Sequence, residues 1–155
     1  MKHLYSLVLA IALLVGGVSV ATAQDFQKGL AAAQAGDFAT ALQEWTPLAE
    51  QGNAKAQGNL GVMYSRGDGV PQDDAEAVKW YRLAAEQGVA KAQSNLGNMY
   101  VNGRGVPQDD AEAVKWYRLA ADQGDANAQY NLALMYSRGD GVPQDYAEAV
   151  KWYRL

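Results

Sequence analysis

The chain has no cysteine and a single histidine, His3, among its 155 residues. Without thiols there is no disulfide framework, no thiol nucleophile and no cysteine-ligated zinc. His3 falls in an N-terminal stretch built like a removable leader. After its removal no imidazole remains for a triad, a general base or a metal site. Positive charge is also in deficit: 13 Lys and Arg stand against 17 Asp and Glu, for a net charge of −4 at pH 7. Losing Lys2 with the leader takes this to −5. An acidic surface repels phosphodiester backbones, so nucleic acid is not an expected partner. Long apolar runs are missing outside the leader, which limits membrane contact to that segment.

The leader is residues 1–23. Lys2 supplies a short basic start, Leu4 to Val15 is apolar except for Ser6, and Ala21-Thr22-Ala23 offers a small-x-small cleavage site. Cleavage after Ala23 would make Gln24 the N-terminus of a periplasmic or secreted protein. If uncleaved, Leu4 to Ala23 could just cross a bilayer core of about 30 Å.

What the rest of the chain has in abundance is repetition. Asp73 to Leu83 returns unchanged as Asp109 to Leu119, and again as Asp145 to Leu155 with Tyr146 the one difference. Trp80, Trp116 and Trp152 are spaced by 36 residues, as are Gln57, Gln93 and Gln129. A fixed period of this size marks stacked structural units. The units are 52–87, 88–123 and 124–155, the last ending inside its second helix, preceded by a degenerate unit at 24–51 in which Pro47 should bend the second helix.

Each unit reads as two helices. The first spans about Ala54 to Ser65, with Ala56, Leu60, Met63 and Tyr64 on one stripe. The loop Arg66 to Pro71 carries two glycines and a proline that stops the helix. Asp73 is an N-cap with Glu76 as its capping-box partner. The second helix runs to about Gln87, with Ala77, Tyr81, Ala84 and Ala85 inward and Val78 and Trp80 on the flanks. Gly61 and Gly97 leave room for a neighbouring helix, whereas Ala133 stands at that place in the third unit.

The motif Ala-x-Ala-Gln-x-x-Leu-Gly-x-x-Tyr, then Gly-x-Gly-Val-x-x-Asp, then Ala-x-x-Trp-Tyr-x-x-Ala-Ala-x-x-Gly occurs at Ala54–Gly88, at Ala90–Gly124 and from Ala126 to the end. It resembles the Sel-one-like repeat, a relative of the tetratricopeptide repeat. The resemblance implies an all-α, right-handed α-solenoid of stacked antiparallel helix pairs, here about eight helices. It also implies a non-catalytic scaffold or adaptor that binds a protein or peptide and uses no cofactor. A cysteine-rich bacterial branch of the family is linked to β-lactam binding. Its disulfides are absent here, which leaves a β-lactam-binding or weakly hydrolytic protein as the alternative.

Comparing the copies separates stacking positions from free ones. Positions 55, 58, 62 and 65 of the first helix change from unit to unit and share one helical face. They read Lys55, Gly58, Val62 and Ser65, then Lys91, Ser94, Asn98 and Val101, then Asn127, Tyr130, Leu134 and Ser137. Beside them Asn59, Asn95 and Asn131 recur. First helices of such solenoids line the concave groove. The candidate ligand surface is therefore Lys55, Asn59, Val62, Lys91, Asn95, Asn98, Tyr130, Asn131 and Leu134, the alternative being a face left free to vary in solvent. The recurrent Asn could hold the backbone of an extended peptide or bond within the solenoid.

Other chemistry fits less well. Asp68, Asp73 and Asp74 lack calcium-loop spacing, and Arg104 replaces Asp68 in the next copy, so no metal is expected. Arg66-Gly67-Asp68 spells an adhesion tripeptide that the second copy does not keep. The Trp-Tyr pairs read as core, and Lys79 and Arg82 as an exposed ion-pair face near Glu76. The third copy stops at Leu155, where its predecessors continue through Ala-Ala-x-Gln-Gly. A frayed last turn over Tyr153 to Leu155 and an apolar end face, through which the chain could self-associate, are the expectations there.

Overall fold

A computed structural model describes residues 26–153. The leader, its cut after Ala23, and Arg154 and Leu155 at the expected frayed turn lie outside the described residues. Eight helices follow one another, with no strand among the described residues. α1 covers 26–34. Then come α2 (Phe38–Glu50), α3 (Ala54–Arg66), α4 (Asp74–Glu86), α5 (Ala90–Asn102), α6 (Asp110–Asp122), α7 (Ala126–Arg138) and α8 (Tyr146–Tyr153). Each packs against its chain neighbours, and α3 also touches α5. This is an α-solenoid of helix pairs.

Local chemistry sets the boundaries. Asp73 and Asp109 accept hydrogen bonds from Glu76 N–H (3.0 Å) and Glu112 N–H (2.9 Å), capping α4 and α6. The reciprocal half of the capping box does not form. Asp73 N–H donates instead to the Tyr64 carbonyl, and Asp109 N–H to that of Tyr100. With that donor satisfied by the preceding helix, Glu76 turns outward to Lys79 at 3.0 Å. Pro47 sits inside α2, which continues past it to Glu50. Its missing N–H frees a carbonyl one turn back, an arrangement α2 tolerates near its end.

The core runs through the whole stack, within units and across the junctions between them. Tyr81, Ala84 and Ala85 of α4 pack with Ala92, Leu96 and Met99 of α5. Tyr117, Ala120 and Ala121 of α6 pack with Ala128, Leu132 and Met135 of α7, and Trp152 of α8 closes that cluster. A single unit therefore cannot bury its apolar face alone, and stability accumulates at the junctions. The repeated Gln serves the same junctions. Gln57 Nε2 donates to the Ala49 carbonyl (3.0 Å), Gln93 Nε2 to that of Ala85 (3.0 Å) and Gln129 Nε2 to that of Ala121 (3.2 Å). Each such bond reaches back to a carbonyl in the last turn of the previous second helix, which also accepts the N–H of the glycine that follows that helix. Gln87 and Gln123 then donate to the Oε1 of Gln57 and Gln93 at 2.7 and 2.8 Å.

Two glycine positions are set by close approach. A Cβ on Gly61 would fall 2.5 Å from the Tyr81 ring, and one on Gly97 2.7 Å from the Tyr117 ring. Tyr81 and Tyr117 are accordingly buried, 3% and 2% exposed, whereas Tyr153, opposite Ala133, is 47% exposed. Ala133 stands at the position of Gly61 and Gly97 in the third unit. Tyr153 packs edge-on against Tyr130 instead, with ring centroids 5.7 Å apart. The reading of the Trp-Tyr pairs as core thus fails at that one tyrosine. In the loops, a Cβ on Gly105 (φ +70°) would overlap the Asp74 carbonyl, so the loop can lie flat on the start of α4 only with glycine there.

Arg82 does not join the ion pairs. Its Nη2 donates to the Tyr100 hydroxyl at 2.6 Å, and its guanidinium lies 5.9 Å from the centre of that ring. Arg118 meets Tyr136 in the same way. These arginines tie one unit's second helix to the next unit's first.

Candidate functional site

The first helices α3, α5 and α7 follow one another through the stack, and the nine sequence-derived candidates all lie on them. The structure divides them. Lys55, Asn59, Val62, Lys91 and Asn95 line one groove of about 230 Å³, together with Phe26 and Leu30 of α1 and Gly58, Val89 and Ala92. Asn131 and Leu134 line a separate recess of about 70 Å³ with Tyr117 and Arg138. Tyr130 faces a third, about 200 Å³, beside Gln129, Trp152 and Tyr153. Asn98 lies between units and lines none of these three recesses.

The variable column is not uniformly open. Ser94 is buried at 1% exposure, and a Cβ on Gly58 would meet the Ala84 Cβ at 3.9 Å. Position 58 and its equivalents therefore share their surface with the unit's own second helix. Tyr130, at the same place in the third unit, is 58% exposed.

Two of the recurrent Asn residues, Asn95 and Asn131, have partners inside the solenoid. Tyr117 Oη donates to Asn98 Oδ1 at 2.6 Å, and Asn131 Nδ2 donates to the same oxygen at 3.2 Å. Asn131 also reaches the Tyr117 hydroxyl, and Asn95 that of Tyr81. Burial raises both phenols above the ordinary value of about 10, outweighing the lowering effect of these hydrogen bonds. The side-chain amides brace the tyrosines between helices, and of these amides Asn95 also lines the groove.

The groove's charge is unlike the rest of the surface. Lys79, Lys115 and Lys151 on the second helices pair with Glu76, Glu112 and Glu148 at 3.0, 2.7 and 3.1 Å. Lys55 and Lys91 are exposed and enter no ion pair or hydrogen bond among the described residues, and no carboxylate lines the groove beside them. α5 also differs at its start. Val89 stands where Asn53 and Asp125 cap α3 and α7, and supplies no side-chain acceptor. Among the described residues no cluster of three or more His, Asp or Glu is placed to hold a metal ion. None of their helices is long and apolar enough to cross a membrane.

Phe26 and Leu30 escaped a reading based on a 36-residue step, because the first unit's loop is shorter. Gly29 supplies the missing offset. It lies 32 residues before Gly61, and a Cβ on it would meet the Trp45 indole at 2.6 Å, as Gly61 meets Tyr81. With that offset Phe26 aligns with Gly58 and Leu30 with Val62, on the variable face.

The family model for the Sel1 repeat matches residues 54–89, 90–125 and 126–155. Among solved structures, the chain is similar to a Sel1 repeat protein from Oxalobacter formigenes, with 39% identity and a TM-score of 0.80 over 83% of this chain and 53% of that one. It is also similar to a protective antigen of uropathogenic Escherichia coli strains that displays an SLR fold, with 40% identity and a TM-score of 0.83 over 92% of this chain and 32% of that one. The chain thus spans about half the length of the first and about a third of the second. No curated protein matches it.

Proposed function

The chain belongs to the Sel1 repeat family, and from that premise we propose that it is a non-catalytic scaffold that binds a protein or peptide in the periplasm or outside the cell through the face formed by its first helices. Members of this family generally serve protein–protein interaction. The observation that carries the reading is the groove between α1, α3 and α5, where positions that vary between otherwise near-identical units gather around an apolar floor with polar edges. Varying side chains on a constant stack are how a solenoid acquires a ligand without losing its fold. The leader-like residues 1–23 support an exported location, which also suits the antigen character of the Escherichia coli relative.

The test is affinity capture from an envelope extract by the wild-type mature chain and by a Val62→Asp variant. Leu83→Asp and Leu119→Asp, on exposed second-helix positions 38% and 48% accessible, serve as controls. A partner held by the wild type and the controls but lost from the groove variant is the expected result. A partner retained by the groove variant and lost from the controls would move the binding face to the second helices.

A further inference from the structure

The groove combines two surfaces of different chemistry. Phe26, Leu30 and Val62 give it an apolar wall, and Lys55 and Lys91 place one unpaired ammonium on each of two successive first helices. On a chain of net charge −4, whose repeated second-helix lysines are each matched by a glutamate, two cations left without a carboxylate on one groove are a specific departure. Asn59 and Asn95 lie one turn further along the same helices, with amide groups that both donate and accept. The uncapped first turn of α5, from Ala90 to Ala92, adds backbone donors at the same edge.

Resting on the groove reading above, we propose that the ligand is an extended acidic peptide segment whose carboxylate side chains meet Lys55 and Lys91 while an intervening apolar side chain lies on Phe26, Leu30 and Val62. An extended strand suits this division of labour. Its alternate side chains point to opposite sides, and residues two apart on one side are about 7 Å from each other, so acidic and apolar positions in alternation reach different walls. The protein's overall negative charge opposes such a ligand at long range. The attraction is therefore short-ranged and local to the groove, and added salt weakens it.

Fluorescence anisotropy on the mature chain tests this with three fluorescein-labelled hexapeptides, all amidated at the C-terminus. They alternate leucine with aspartate, with asparagine or with lysine. The leucine–aspartate peptide should bind at least tenfold more tightly than the other two and weaken as salt is raised. Lys55→Gln and Lys91→Gln should each weaken it by about tenfold, the scale of one charge-assisted hydrogen bond. Both lysines are exposed, so thermal melting should be unchanged. Equal binding of the leucine–aspartate and leucine–asparagine peptides, unchanged binding to the double lysine variant, or no binding of any peptide would overturn the acidic preference. If the leucine–asparagine peptide binds as well and Val62→Asp abolishes it, the groove reading stands while the acidic preference falls. An unblocked leucine–asparagine peptide that alone binds tightly would assign the lysines to a terminal carboxylate and overturn the internal acidic segment.

Discussion

Two glycines of the first helices should respond to the same substitution with opposite signs. Gly58→Ala and Gly97→Ala each gain about 1 kcal/mol of helix propensity. At Gly58 the new Cβ finds only the Ala84 Cβ at 3.9 Å, an ordinary contact, so the gain survives. At Gly97 it falls 2.7 Å from two carbons of the Tyr117 ring. That ring is 2% exposed and its hydroxyl is held by Asn98 at 2.6 Å, so it cannot move without losing packing and a hydrogen bond. Overpacking costs about 1–3 kcal/mol and the bond about 0.5–1.5 kcal/mol, which outweighs propensity by roughly 0.5–3.5 kcal/mol. The third unit carries alanine, Ala133, at this place, and its tyrosine, Tyr153, is 47% exposed. Urea unfolding of the mature chain followed by circular dichroism at 222 nm reads both variants. Gly58→Ala should unfold at higher urea than the wild type and Gly97→Ala at lower. In a Tyr117→Ala background the Gly97→Ala penalty should vanish and the propensity gain reappear, because the coupling resides in that contact. A Gly97→Ala protein as stable as the wild type would refute the packing argument, since it would mean that the ring yields without cost.

Three further outcomes follow from the junctions. Tyr81 and Tyr117 keep their protons more firmly folded than unfolded, so their contribution is fully present below pH 10 and is lost as pH rises beyond it; the urea midpoint should fall more steeply between pH 9 and 11 in the wild type than in a Tyr81→Phe, Tyr117→Phe variant. Arg104 bridges to Asp74 through Nε at 3.0 Å and Nη2 at 2.6 Å, whereas the next junction sets Asp140 near Asp110, so Asp140→Arg should stabilise by up to about 1 kcal/mol at low salt and less at high salt, as thermal melts at two ionic strengths would report. Gln93→Ala removes one partner from the Ala85 carbonyl, which keeps the Gly88 N–H, and one from Gln123, and should cost about 0.5–1.5 kcal/mol in the same urea assay.

Where the sequence was legible, it was because identical units constrain one another. The period, the Asp caps and the role of Gly61 and Gly97 follow from residues that cannot change without breaking a stack. Three features were hidden for identifiable reasons. Glu76 matches a capping-box pattern, but the Asp73 N–H it would cap is taken by the Tyr64 carbonyl, a contact between helices that spacing along one helix does not reveal. Arg82 sits near Glu76 on its own helix, yet reaches across the junction to Tyr100, 18 residues away. Phe26 and Leu30 fell out of register because the first unit's loop is short, and the groove could not be drawn from α3, α5 and α7 alone. Six of the candidates stand at positions that vary between units, and Asn59, Asn95 and Asn131 recur beside them. Variation identifies what the stack leaves free but not which free positions share a cavity, so Tyr130 and Leu134 were grouped with side chains that line a different recess.

The most direct test of a binding face on the first helices is site-specific photocrosslinking. The mature chain carries benzoylphenylalanine in place of Val62 in the groove, or in place of Leu119 on an exposed second helix, and is irradiated in an envelope extract of its source organism. A discrete protein adduct from position 62, absent at position 119, is the predicted result. Adducts from position 119 alone, or the same adducts from both, would contradict it.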